Sequence, residues 1–381
     1  MQAAAKGMVA VANPLQQLAA MGQSVWYDNI SREILTDGTL ASLVGADEVR
    51  GVTSNPAIFE KAIGGGRAYD ADIRRLKQAG ASTVEIYESL AVADIRAGAD
   101  LLRPVFDRTA GADGYISLEV APDLADDAEA TVRDALRLHA RLERPNVMIK
   151  IPATQAGVAA IEACTAKGLC INVTMMFALR HYDAVADAYL RGLERRLAEG
   201  GDVQRVHSVA SVFVSRFDSL VDKELEARAA GGARDLEGLQ GKAALANARL
   251  TYQRFRQTFA GSRWEGLRAR GARLQRPLWA STSTKNPAYR DVLYAEQLIG
   301  PDTVDTMPPQ TLTAFRDHGV VARTVDQGAQ EARQTVAALA AAGIDLEAVG
   351  ERLQRDGVAL FAAAFQKMLD ELGAKARQLA G

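Results

Sequence analysis

The stretch Arg144-Pro145-Asn146-Val147-Met148-Ile149-Lys150-Ile151-Pro152-Ala153-Thr154 sets a lysine inside an apolar run bounded by two prolines. A run of this length predicts a short buried strand, because proline cannot donate to a strand ladder and so ends it. A charged lysine in a buried strand is costly unless it is paired or deprotonated. Desolvation favours the neutral amine, and a neutral amine adds to carbonyls to form a Schiff base. Lys150 is therefore a candidate covalent nucleophile at the end of a strand. The alternative is a lysine that reaches the strand end and pairs with an acid. The rest of the chain decides between them.

Working outward, further strands are predicted at 24–28, 49–53, 114–120, 169–174, 205–214, 277–281 and 302–306, with the Lys150 strand fourth among eight. Helical stretches separate them. Asn13-Pro14 opens the first with a capping residue and a proline at the first helical position, and Ile30 to Leu35 is expected to begin the next. Ser82-Thr83-Val84-Glu85 reads as a capping box, Gly168 as a helix terminator, and 287–298 as a helix. Eight strand–helix alternations predict a parallel (β/α)8 TIM barrel. No G-x-G-x-x-G follows the first strand and no G-x-x-x-x-G-K-[ST] loop occurs; Gly64-Gly65-Gly66 reads as a plain turn. The expected organisation is one barrel domain over 1–381. It carries a helical insert at about 217–273 and extra C-terminal helices at about 326–379, with breaks near Gly343 and Gly357.

Composition sets outer bounds. The 381 residues are 48% hydrophobic and 24% charged, enough for a large core. A net charge of -2 without a basic tail or stripe argues against nucleic acid as a partner. The two cysteines, Cys164 and Cys170, form neither a disulfide framework nor a metal-ligand pattern and read as small buried hydrophobes. A reducing, cytoplasmic setting is expected. No apolar run is long enough to span a membrane. Met1 to Ala12, with its short apolar patch, reads as a frayed leader rather than a signal peptide.

Function in a barrel gathers at the carboxyl ends of the strands, and here those ends are polar. In order they carry Asp28; Thr53, Ser54 and Asn55; Glu119; Lys150 and Thr154; Asn172 and Thr174; Ser208, Ser211 and Arg216; then Ser281 to Asn286, with Lys285. Each has a plain structural reading: Asp28 or Thr174 as a helix cap, Asn55 as turn chemistry, a Glu119–Lys150 pair as a salt bridge, the two cations as a solvated face. Seven polar strand ends together point to one polar cavity. Schiff-base aldol chemistry needs an amine (Lys150), acid–base groups (Asp28, Glu119) and amides to hold the covalent intermediate (Asn55, Asn172). Arg216 and Lys285 suit a phosphate.

At this point the chain resembles the transaldolase family, in its longer bacterial form. The resemblance rests on Val52-Thr53-Ser54-Asn55-Pro56, Ser117-Leu118-Glu119-Val120, Met148-Ile149-Lys150-Ile151-Pro152-Ala153-Thr154, Cys170-Ile171-Asn172-Val173-Thr174, Ser208 to Arg216, and Trp279-Ala280-Ser281. It implies a barrel of class I aldolase type. It implies transfer of a dihydroxyacetone unit from sedoheptulose 7-phosphate to glyceraldehyde 3-phosphate, giving erythrose 4-phosphate and fructose 6-phosphate in the pentose phosphate pathway. No metal or organic cofactor is implied, and a monomer or homodimer is expected. Lys150 matches the Schiff-base lysine, Asp28 the general acid–base, and Glu119 with Thr174 the pair that works with a bound water. Asn55 and Asn172 match the intermediate-binding asparagines, Thr53 lies in the same motif, Ser211 matches a substrate-contacting serine and Arg216 a phosphate-binding arginine; Ser281 is also expected to bind substrate. Phe213 also matches transaldolases; fructose 6-phosphate aldolases, which resemble this chain, place a tyrosine there. Where many members carry a second arginine after the seventh strand, this chain has Thr282-Ser283-Thr284-Lys285-Asn286, and Lys285 takes that place. The competing readings are an aldolase that releases dihydroxyacetone and a sugar-phosphate-binding barrel without catalysis.

Overall fold

The computed structural model describes residues 12–232 and 236–380; the expected leader lies, apart from Ala12, outside them. Eight parallel strands close into a barrel in sequence order: β1 (Gln23–Tyr27), β2 (Gly51–Val52), β3 (Ile116–Glu119), β4 (Val147–Pro152), β5 (Ile171–Met176), β6 (Ser208–Phe213), β7 (Gln275–Ala280) and β8 (Thr303–Met307). β1 pairs with both β2 and β8, which closes the ring. Every residue of β4 is buried, as a strand walled by the barrel interior on one face and helices on the other must be. That is why Val147 to Ile151 reads as a continuous apolar run instead of an alternating one.

Local signals act where the sequence places them. Asn13 caps the helix Pro14–Ala20, Ser82 and Glu85 form the capping box of the helix Thr83–Arg108, and Gly168, at φ +87°, follows the helix Gln155–Ala166. The helix expected to begin over 30–35 is Arg32–Thr36, capped by Ser31. Two expectations fail. The helix at 287–298 shrinks to Leu293–Gln297. Thr284 Oγ1 donates to the carbonyls of Arg290 and Asp291, so a side chain competes for acceptors that a helix over this stretch would use. The break at Gly357 does not occur, because Leu346–Ala380 is one continuous helix. Gly357 serves close approach: a Cβ there would lie 2.9 Å from Met175 Sδ, and one at Gly350 would lie 2.6 Å from Ala178 Cβ. Two glycines thus let this helix press onto the end of β5.

Strand register then builds the site. Glu119 pairs with Lys150 across β3–β4, and Lys150 with Asn172 across β4–β5. Three polar residues from three strands therefore stand side by side at one level. Alternation along each strand puts Ser117 on the same face as Glu119, and Thr174 on the face of Asn172. Among the described residues no helix is long and apolar enough to cross a membrane.

Candidate active site

At the carboxyl ends of the strands lies a cavity of about 320 Å3 lined by Asp28, Thr53, Asn55, Lys150, Thr174, Ser211, Phe213, Arg216, Ser281 and Lys285. Ten of the twelve residues singled out in the sequence thus share one wall. The other two, Asn172 and Glu119, stand against it from behind. Asn172, fully buried, donates through Nδ2 to Ser117 Oγ at 2.9 Å and accepts from Ser211 Oγ at 2.7 Å. Its amide orientation is fixed by two hydroxyls.

Lys150 is 5% exposed. Its Nζ donates to the carbonyl of Ser54 at 3.0 Å, stands 3.6 Å from Glu119 Oε2, and lies 5.9 Å from the ring centre of Phe361. The Glu119 separation is that of an ion pair and too long for a hydrogen bond. Glu119 Oε2 and Thr174 Oγ1 are buried oxygens with no hydrogen-bond partner among the described residues. Burial pushes the Glu119 carboxyl up to about 7, against the pull of Lys150. Burial also raises Asp28; Thr53, Lys150 and Lys285 oppose it. Thr53 Oγ1 donates to Asp28 Oδ1 at 2.6 Å and lies 2.6 Å from Thr306 Oγ1. Asp28 is therefore held by the Thr53 hydroxyl, which Thr306 backs, and does not cap the next helix, which is the task of Ser31.

Asn55 does two things. Its Oδ1 accepts from Ile58 N at 3.0 Å, capping the helix Pro56–Gly64, and the residue also lines the cavity. Thr174 caps nothing; it sits where β5 shifts register between Val173 and Met176, next to Met175 at φ +57°. A bulge there re-aims the strand end. Ser281, after β7, is likewise left-handed at φ +57°, and its Oγ lies 3.0 Å from Ser215 Oγ. Non-glycine residues in this region are uncommon and gather at functional sites.

At the mouth, the Arg216 guanidinium lies 5.6 Å from the Phe213 ring centre, and Lys285 Nζ donates to Ser283 Oγ at 2.7 Å. Desolvation lowers both pKa values, and for Lys285 the Arg216 charge adds to it while Asp28 opposes. Neither cation forms an ion pair among the described residues. Two unneutralised cations facing one cavity make an anion site. Among the described residues no His, Cys, Asp and Glu cluster is placed to hold a metal ion.

Residues 25–372 match the family model described as Transaldolase/Fructose-6-phosphate aldolase. The chain belongs to this family. Among transaldolases similar to it are Transaldolase 2 of Nostoc sp., 45% identical over 96% of this chain and 98% of that protein, and the transaldolase of Thiobacillus denitrificans, 46% identical over 95% and 100%. The transaldolase of Parafrankia sp. is 48% identical over 95% of this chain and 98% of its own length.

The same cavity is also lined by residues that the sequence reading missed. Thr306 and Gln310 line it from the β8 end, and Phe361 from the C-terminal helix. Gln354, on that same helix, donates to the carbonyls of Ala153 at 2.8 Å and Met175 at 2.9 Å, just past β4 and inside the β5 bulge. Glu351 is held 2.7 Å from His181 Nε2, whose Nδ1 accepts from the backbone of Phe177 and Ala178. Some two hundred residues separate this helix from the strands it covers, and no local pattern marks Phe361 or Gln354 among the apolar and polar residues of a long helix.

Proposed function

We propose that this chain is a transaldolase that moves a dihydroxyacetone unit between sugar phosphates through a Schiff base on Lys150. The ketose carbonyl carbon, C2, is set beside Lys150 Nζ, with the phosphate at Arg216 and Lys285. The amine adds to C2; the carbinolamine hydroxyl leaves as water with a proton supplied by Glu119. A carboxyl held up near 7 is suited to give and take a proton at neutral pH. Glu119 Oε2 and Thr174 Oγ1, both without protein partners, suit the water of these steps. Asp28 then takes the proton of the C4 hydroxyl, the C3–C4 bond breaks, and the aldose departs. Its electron pair stays delocalised over the lysine-bound three-carbon unit, which Asn55 and Asn172 hold. An acceptor aldose enters, C3 attacks its aldehyde carbon, Asp28 returns the proton to the new hydroxyl, and water releases the product ketose.

The donor is sedoheptulose 7-phosphate and the acceptor glyceraldehyde 3-phosphate, with fructose 6-phosphate and erythrose 4-phosphate as products. The observation that carries the reading is the Glu119–Lys150–Asn172 row, in register across three strands, with Lys150 lining a cavity that has two free cations at its rim.

The test is borohydride reduction with fructose 6-phosphate, followed by peptide mass spectrometry. A reduced three-carbon adduct on Lys150 is expected, with product release that requires an aldose acceptor. No adduct on any lysine of folded protein would sink the Schiff-base mechanism. Release of dihydroxyacetone at the same rate without acceptor would make the enzyme an aldolase.

A further inference from the structure

A second cavity, of about 460 Å3, lies behind Glu119, between the end of β3, the helix Thr83–Arg108 and the C-terminal helix Leu346–Ala380. Asn55 lines both cavities, whereas Glu119 lines this one and Lys150 the other. At its inner end are buried Tyr87 and Leu118, beside Glu119 at 8% side-chain exposure. At its outer end are Val84, 45% exposed, with Asp123 and Gln366, both exposed. The cavity therefore runs from solvent to the back of the carboxylate whose front faces the lysine.

Schiff-base chemistry turns over water at this carboxylate. Forming the iminium breaks the C2–O bond of the carbinolamine, and the oxygen leaves as water with the Glu119 proton. Releasing the product adds water to the iminium carbon, returns a proton to Glu119 and breaks the C–N bond. During both events the substrate fills the front cavity, which Phe361 lines beside Lys150. We propose that the cavity behind Glu119 is the path by which the water of carbinolamine breakdown leaves and hydrolytic water enters, so that the oxygen exchanges with solvent while sugar occupies the barrel mouth. The proposal rests on the Lys150 Schiff base argued above.

The experiment runs fructose 6-phosphate and erythrose 4-phosphate in H2(18)O. A borohydride quench fixes the C2 oxygen of the sedoheptulose 7-phosphate formed, and mass spectrometry of the C1–C3 fragment reads its label against an enzyme-free control. The wild-type enzyme should incorporate close to one solvent oxygen at C2 per turnover. Ala362→Phe and Leu369→Trp narrow the rear cavity at two positions without touching the substrate cavity. Each should return part of the original oxygen to the product and lower kcat, with KM little changed. Label incorporation in both folded variants equal to that of the wild type would overturn the proposal. So would a wild-type enzyme that keeps most of its original C2 oxygen, a result that needs no variant. Failure to trap any adduct on Lys150 would instead defeat the Schiff-base reading itself.

Discussion

Replacing Glu119 with glutamine should make the enzyme more resistant to alkaline conditions relative to the wild type while removing most of its activity. The folded protein holds the Glu119 carboxyl at about 7, against 4.5 for an ordinary glutamate, mainly because burial disfavours the charged form. Between pH 4.5 and about 7 the folded protein keeps a proton there that the unfolded chain has lost. Stability from this group is fully present below 4.5 and is lost as pH rises through 7. A difference of about 2.5 pH units, at roughly 1.4 kcal/mol per unit, comes to about 3.5 kcal/mol, of which about 3 kcal/mol falls between pH 4 and pH 8. Glutamine is nearly isosteric and does not titrate. The stability of Glu119→Gln minus that of the wild type should therefore climb by about 3 kcal/mol between pH 4 and pH 8. The attraction of Lys150 acts only on the charged carboxylate and is already contained in the value near 7, so it adds no separate pH dependence. Urea-denaturation midpoints of both proteins across this range measure it. Parallel midpoints, with no pH-dependent gap, would refute the argument that burial governs this carboxyl. The same substitution removes the proton donor for carbinolamine breakdown, so kcat should fall at every pH in the series.

Arg216→Ala and Lys285→Ala should each raise KM for phosphorylated sugars by roughly ten- to hundredfold, the worth of a charge-assisted hydrogen bond of about 1.5–3 kcal/mol. Trapping of unphosphorylated dihydroxyacetone on Lys150 should persist in both; unchanged KM for fructose 6-phosphate would remove the phosphate role. Gln354→Ala strips a donor from two buried carbonyls and should destabilise the protein by about 1–3 kcal/mol. Thermal melting checks it, and an unshifted Tm would mean that the C-terminal helix is not held through this amide. Asp305, buried in β8 behind the cavity, accepts from Thr282 Oγ1 and is pushed up to about 7 by burial. Its charged form is a burden above that pH, so Asp305→Asn should gain stability at pH 8 relative to pH 5 without loss of turnover, as paired melting curves and rate assays would read.

The barrel, its strand order and most of the cavity wall were legible in the chain. The reason is physical: a parallel barrel buries each strand on both faces, so polar residues such as Glu119, Lys150 and Asn172 stand out against apolar neighbours. Turn and cap chemistry is equally local, as Asn13, Ser82 and Gly168 show. Local reading failed where two rules competed. Gly357 looks like a helix breaker, yet a glycine inside a helix costs only about 1 kcal/mol and here permits contact with Met175. The helix at 287–298 lost to the Thr284 hydroxyl, which competes for two of its carbonyls.

What the sequence by itself determined is the set of reactive groups and the strand ends that carry them. Only the tertiary structure decided how they meet. Register put Glu119, Lys150 and Asn172 at one level with Thr174 one inward step beyond Asn172, and Phe361 and Gln354 came from a helix about two hundred residues beyond Lys150. These depend on which surfaces pack against each other, and no window of neighbouring residues contains that information.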